Sequence, residues 1–257
     1  MTCALQLLTA RSPISPTLTI TSKVLNTRSR APGDKTMTIL SKNAPAEISH
    51  PAHHEHKLKL MATGAAEFQC DVCKELGAGD RYTCRPCDFD LHSDCALAEA
   101  TLAHPLLKGR EFQLRLEHPR HSDAGGRTCG ACGGKVLGLH YHCAAKKGLD
   151  LHPCCAALPL VIPQEELTLE LRKEASHRCS SCRERGRSRT WFYRSTCKTV
   201  YLHVACVKEI ARRNRGAGDG ETTDPFASVK EAALQIYRAK KDESELERVI
   251  LELVLGG

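Results

Sequence analysis

Three copies of one ligand arrangement run along this chain: a Cys-x-x-Cys pair followed some twenty residues later by His-x-x-Cys. The copies are Cys70, Cys73, His92 and Cys95; Cys129, Cys132, His152 and Cys155; and Cys179, Cys182, His203 and Cys206. Three thiolates and one imidazole at this spacing suit a tetrahedral Zn2+ in a closed structural site. An isolated Cys-x-x-Cys carries little weight, but the complete set repeated with the same chemistry does. Fifteen cysteines also raise the alternative of a secreted disulfide scaffold. The odd count, the His at ligand spacing in each cluster and the lack of a visible secretory signal favour reduced, metal-holding thiols. Ala4 to Leu8 is a short apolar run broken by Gln6, and no stretch reaches transmembrane length. No nucleophile–base pair and no phosphate-cradling glycine loop is visible, so no catalytic residue is assigned and no enzyme activity is expected.

The elements that must place these ligands are small. A chain of 257 residues with only 4% aromatic residues and cysteines at intervals of about 50 to 60 residues does not read as one large core. Domains of that size gain from a metal staple. The expected class is small zinc-stabilised α+β modules in tandem with a helical C-terminal tail. Module 1 is placed at 47–105, module 2 at 106–162 and a degenerate module 3 at 163–215. A Gly-rich linker at 216–226 and a helical tail at 227–255 follow. Alternation in Arg81–Cys84, Phe89–His92 and Val136–Tyr141 predicts short strands, as do Thr190–Tyr193 and Thr199–Leu202. The run from Val204 to Arg213 reads as a helix closing the third module. In the tail, Ser228 with Glu231 and Ser244 with Glu247 form capping-box patterns. Apolar residues follow at helical spacing, Leu246, Val249, Ile250 and Leu253 among them, and Lys240 to Glu243 is expected to separate two helices or kink one. This tail either packs on the last module or serves association with a partner or a second copy.

Net charge is +7, with thirteen Lys and Arg between Arg172 and Arg215 opposed only by Glu174, Glu184 and Glu209. Part of this compensates a Cys3His site of charge −1; the alternative is contact with nucleic acid or anionic lipid. Residues 1–46 are rich in Ser, Thr and Pro, with no acid before Asp34. They read as a disordered extension upstream of a start at Met37, or as an organellar transit segment over residues 1–36. The expected location is intracellular, cytoplasmic or nuclear, or chloroplast or mitochondrion on the transit reading.

A second ligand set interleaves with the first in module 1: His56, Cys84, Cys87 and His104. The full pattern H-x13-C-x2-C-x10-C-x2-C-x4-H-x2-C-x8-H, read with "CRPCDFDLHSDCA", resembles the plant Cys/His-rich divergent C1 (DC1) family. "YHCAAKKGLDLHPCCA" and "YLHVACVKE" resemble its later repeats, so the likeness covers residues 50 to 206. It implies a cross-braced module in which ligand pairs one and three share one zinc and pairs two and four the other. His56, Cys84, Cys87 and His104 would then hold the second ion of module 1. In module 2, Cys143 matches Cys84 but the partner of Cys87 is missing, and Lys146 and Lys147 stand near its place. His118, His121, His140 and His142 are the candidates to replace it. In module 3, Cys197 stands alone. About four Zn2+ are expected in all. Cys154 reads as a packed thiol beside a ligand, and His50, His53 and His54 in "HPAHHEH" as spare ligands, an adventitious metal tract or a solvated turn.

The resemblance implies a non-catalytic zinc-binding protein with a protein-interaction or signalling role. Typical C1 domains bind diacylglycerol through apolar loop tips, whereas "KELGAGDRYT" between Cys73 and Cys84 is short and charged, so a protein partner is expected instead. Nucleic-acid binding is the alternative, with Trp191, Phe192 and Tyr193 interleaved with Arg187, Arg189 and Arg194. A thiol–disulfide function through Cys-x-x-Cys ranks last, because metal-bound thiolates are committed.

Overall fold

The computed structural model describes residues 44–62, 66–116, 126–144, 148–173, 177–186, 190–214 and 224–255, with side chains as far as residue 248. The N-terminal segment read as an extension or transit sequence lies outside these residues, apart from its last three positions.

Three antiparallel four-stranded sheets follow one another along the chain. The first is made by β1 (Glu47–His50), β2 (His53–Met61), β5 (Arg81–Cys84) and β6 (Phe89–His92), in that spatial order, with β3 (Glu67–Gln69) and β4 (Leu76–Ala78) as a separate hairpin. The helix α1 (Ser93–Ala96) closes it. The second sheet holds β7 (Thr101–Ala103), β8 (Glu111–Leu116), β9 (Leu139–Cys143) and β10 (Leu149–Leu151), closed by α2 (Pro153–Ala156). The third holds β11 (Val161–Ile162), β12 (Leu169–Lys173), β13 (Trp191–Ser195) and β14 (Tyr201–His203), followed by α3 (Val204–Asn214). Each module is thus a hairpin, a Cys-x-x-Cys turn, a second hairpin and a helix. Because β7 pairs with β8 and β11 with β12, the module boundaries fall a few residues ahead of the expected 106 and 163.

Period-two burial explains the strands. In β5 the pattern puts Tyr82 and Cys84 inside and Arg81 and Thr83 partly out. Tyr82, Tyr141 and Tyr193 occupy the same place in the third strand of each sheet. Each buried ring keeps its hydroxyl satisfied by donating to a carbonyl just ahead of its module: Pro45 at 2.7 Å, Glu99 at 3.0 Å and Pro159 at 2.6 Å. This threefold bond ties the entry of each module to its centre.

The modules stack by a repeated contact. Leu139 N donates to Val72 O at 2.6 Å, and Trp191 N donates to Ala131 O at 2.9 Å. Val72 and Ala131 each lie inside a Cys-x-x-Cys turn, so the turn of one module receives the third strand of the next. Gly138 is required at the first of these contacts, since a Cβ there would come within 1.9 Å of Val72 O. One core joins modules 2 and 3 with the tail through Leu151, Leu169, Trp191, Val207, Val229 and Ala233, while Leu58, Tyr82 and Leu91 centre a second core in module 1.

The tail is one helix, α4 (Ala227–Leu255), unbroken through Lys240 to Glu243. Those residues contain no Gly or Pro, and their side chains tolerate a helix interior, so nothing there interrupts the hydrogen bonds. Its first half packs on module 3 through Val229 and Ala233, with Arg238 paired to Glu166 and Lys240 donating to Thr199 O. From Lys241 to Arg248 every residue is exposed. Of the expected apolar stripe, Leu246 is exposed at 62%, and the side chains of Val249, Ile250 and Leu253 lie outside the described residues.

Candidate metal centres

Each Cys-x-x-Cys is a tight turn closed by two backbone bonds. Lys74 N donates to Cys70 O and Cys70 N to Glu75 O, with equivalent pairs at Gly133–Cys129–Gly134 and Arg183–Cys179–Glu184. The residue after the second cysteine takes a left-handed conformation: Lys74 at φ 63°, Gly133 at 75° and Arg183 at 64°. For Lys and Arg that region is uncommon. The His-x-x-Cys half is carried by the end of the last strand and the short helix after it, so a ladder position and a helical turn aim the two ligands back at the knuckle.

The structure brings together Cys70, Cys73, His92 and Cys95; Cys129, Cys132, His152 and Cys155; and Cys179, Cys182, His203 and Cys206. Within each group the candidate ligand atoms lie within 4.8 Å of one another. Sγ–Nδ1 separations are 3.3 Å for Cys73–His92, 3.5 Å for Cys132–His152 and 3.5 Å for Cys182–His203, and Cys179 Sγ lies 3.7 Å from Cys206 Sγ. Tetrahedral zinc would set these edges at about 3.6 Å for S–N and about 3.8 Å for S–S. His152 Nε2 donates to Lys135 O at 3.0 Å, which fixes the ring and leaves Nδ1 for a metal. No cysteine is in a disulfide among the described residues.

The electrostatics call for a cation. Hydrogen bonds from Cys73 and Cys95 hold the Cys70 thiol far below its usual range, and the bonds of Cys95 with Cys70 and Cys73, with its burial, push Cys95 well up. A hydrogen bond from Cys206 brings Cys179 down to about 4. Burial opposes charge on His152, yet its bonds to Cys129 and Cys132 outweigh this and push it up to about 12. A dication would be held by such a set with all four ligands deprotonated.

The second centre of module 1 departs from expectation. His53, His56, Cys84 and Cys87 come together, with Cys87 Sγ 3.3 Å from His56 Nδ1. His53 Nε2 is buried with no hydrogen-bond partner among the described residues, which leaves it available to a metal. His104 is elsewhere: it follows β7, caps the turn at Pro105–Leu107 by accepting from Leu106 N, and packs against Trp191 with ring centroids 4.7 Å apart. Burial brings its pKa down to about 4, so it sits neutral in the contact between modules. His104 lies just past β7 of the second sheet, held on Trp191, and is not gathered with Cys84 and Cys87. Its replacement follows the same two-residue gap as the cysteine pairs, in "HHEH". With His53 the cross-brace joins pairs one and three, His53/His56 with Cys84/Cys87, and pairs two and four, Cys70/Cys73 with His92/Cys95.

In module 2 Cys143 is buried in the core, His118, His121, Lys146 and Lys147 lie outside the described residues, and His140 and His142 gather with Asp150 instead. In module 3 Ser195 stands where Cys84 stands in module 1. It accepts from Thr199 N and Val200 N, while Cys197 bonds to Ser195 and Thr199 side chains. Hydrogen bonds close that turn, where module 1 has the His53, His56, Cys84 and Cys87 set instead. Cys154 donates to Glu75 Oε2 at 3.1 Å, and Lys208 Nζ donates to both Glu75 oxygens at 2.8 and 2.9 Å. Glu75 Oε1 is also 3.3 Å from His152 Nδ1, so one residue from each outer module meets the centre of module 2.

Comparison with known proteins agrees with this geometry. Residues 51–96 match the C1 domain family. The chain is 44% identical to Probable nucleoredoxin 1 of Arabidopsis thaliana over 62 residues, 24% of this chain and 10% of that protein. It is 43% identical to Probable nucleoredoxin 3 of the same plant over 49 residues, 19% of this chain and 12% of that protein. It therefore spans about a tenth of the length of these relatives, and no solved structure matches it. Residues 51–96 are thus a C1-like domain, and the four Cys/His tetrads, set in a repeated sheet-and-helix frame, are compatible with small zinc-binding modules in tandem.

Proposed function

We propose that this chain is a non-catalytic docking protein whose zinc modules form one stacked unit and present the outer half of α4 to a protein partner or a second copy. The observation that carries this reading is the contrast within α4: Val229 and Ala233 are buried on module 3, whereas Lys241 to Arg248 are exposed, Leu246 at 62%. Burying one such leucine is worth about 1.5 to 3 kcal/mol, enough to help hold a helix in a groove. The tetrads supply four protein ligands each and leave no open position for substrate, which argues against zinc catalysis. The same commitment of thiolates argues against disulfide exchange, and the nucleoredoxin likeness covers too little of those proteins to carry their activity over.

The lipid and nucleic-acid alternatives have less behind them. Glu75, in the loop after Cys73, is held by Lys208 rather than presented to a membrane. Trp191, Phe192 and Tyr193 are all buried, so none can stack on a base, and Arg172, Arg194, Arg212 and Arg213 are paired with Glu170, Glu67 or Glu209. The test is Leu246→Asp in the full chain. Self-association in sedimentation, or capture of a partner, should be lost while bound zinc is unchanged. If association persists, or binding to nucleic acid falls steeply with salt and ignores this variant, the docking reading is wrong.

A further inference from the structure

Outside the four tetrads, His140, His142 and Asp150 of module 2 place one ligand atom each within 4.8 Å of the others. The register explains why. His140 and His142 alternate on β9 and so share a face of the sheet, and Asp150 on β10 is the direct cross-strand partner of His142. His142 Nδ1 lies 2.7 Å and His140 Nε2 3.7 Å from the same oxygen, Asp150 Oδ1. His140 Nδ1 donates to Gly138 O at 2.7 Å, which fixes the tautomer and turns the lone pair of Nε2 toward the cluster. At the equivalent places module 1 has Arg81, Thr83 and Asp90, with Arg81 paired to Asp90 at 3.3 Å. Module 3 has Phe192, Arg194 and Tyr201. Module 2 alone puts two imidazoles and a carboxylate there, and the place differs from that of the second centre of module 1, which Cys84 and Cys87 build.

A cation is already near. Arg127 Nη1 donates to His140 Nε2 at 3.1 Å and lies 3.9 Å from Asp150 Oδ1. Its side chain is 36% exposed, against 1% for His140, 16% for His142 and 11% for Asp150, so it lies on the solvent side of the cluster. We propose that His140, His142 and Asp150 form a fifth, thiolate-free metal site for a divalent transition ion of the Zn2+ or Co2+ class, with Arg127 standing at the open fourth position. Two imidazoles and one carboxylate from adjacent strands suit such ions, and three protein ligands leave a place for water or an anion. Arg127, and Arg115 opposite His140 in the register, would favour an anion in that place.

The probe is Co2+ added to the zinc-saturated, tag-free full chain. Binding here gives visible d–d absorption with no thiolate-to-cobalt charge transfer in the near ultraviolet, which separates it from exchange into the Cys3His centres. One equivalent should bind to the unmodified chain. His142→Gln and Asp150→Asn should each remove it while four zinc ions remain, and Arg127→Ala should tighten it by about tenfold by taking away a charge about 4 Å from the ion. If Asp150→Asn sheds structural zinc, His142→Gln decides, because His142 is the least buried of the three. A thiolate-free band absent from the unmodified chain, or unchanged in His142→Gln, would overturn the proposal and leave an ion-pair network only.

Discussion

The centres of module 1 turn on which histidine completes a set. His53 is brought to Cys84, Cys87 and His56 by the start of β2, whereas His104 is kept on Trp191 by the second sheet. His53→Ala should therefore lower bound zinc by one ion, and His104→Phe should not, as read by elemental analysis of tag-free protein. His104 has a second signature. Its folded pKa, brought down to about 4 by burial, lies below the unfolded 6.5. Between those values the unfolded chain binds the extra proton, so stability is present above pH 6.5 and is lost as pH falls toward 4. Going from pH 7 to pH 5, the unmodified protein should lose about 2 kcal/mol relative to His104→Phe. Equal losses in urea titrations would show His104 to be open to solvent. The tetrads were legible because ligand identity and spacing are local. His53 was not singled out because four histidines crowd "HPAHHEH" and spacing alone does not say which of them faces the cysteines.

At the scale of elements, β5 and β6 were readable to the residue from alternation, and β9 and β13 to within a few positions. The hydroxyl bonds of Tyr82, Tyr141 and Tyr193 and the stacking bonds at Val72 and Ala131 were not readable. They link positions more than thirty residues apart through backbone carbonyls, which every residue carries. Gly138 shows the consequence. In the sequence it is one glycine of "GGKVLGLHY", but in the fold it is the point where module 2 meets the first knuckle, with no space for a Cβ. Gly138→Ala should push Val72 and Leu139 apart and cost about 1 to 3 kcal/mol, as overpacking does. The expected sign is a lower melting temperature with full zinc content, since no ligand moves. Loss of zinc from module 1 would mean instead that this contact helps to form its knuckle.

At the scale of the molecule, the question is whether three metal modules fold as one. Glu75, from module 1, and Lys208, from α3, are 133 positions apart and meet beside Cys132, Cys154 and His152. Arg212 of α3 also reaches Glu67 of module 1. Burial opposes the charge on Lys208, but the attraction of the Cys155 and Cys154 thiolates and of the Glu75 carboxylate outweighs it and raises its pKa. With zinc bound, a Cys3His centre keeps a charge of −1, so Lys208 still has two anions to neutralise. Lys208→Met keeps the packing of the stem and removes the charge, leaving Glu75, 18% exposed, with the Cys154 bond but without its lysine. Removing one member of a buried pair costs about 3 to 5 kcal/mol, and this partly exposed pair should lose about 1 to 3 kcal/mol. The coupling is what matters. If Glu75 and Lys208 act on each other, Glu75→Gln with Lys208→Met should be less destabilising than the two single changes summed, by about 1 kcal/mol or more. Zinc-saturated urea unfolding should then show a single transition in the unmodified chain that broadens or splits in Lys208→Met. Additive changes with an unaltered transition would mean that the modules hold together through their apolar cores and stacking bonds alone.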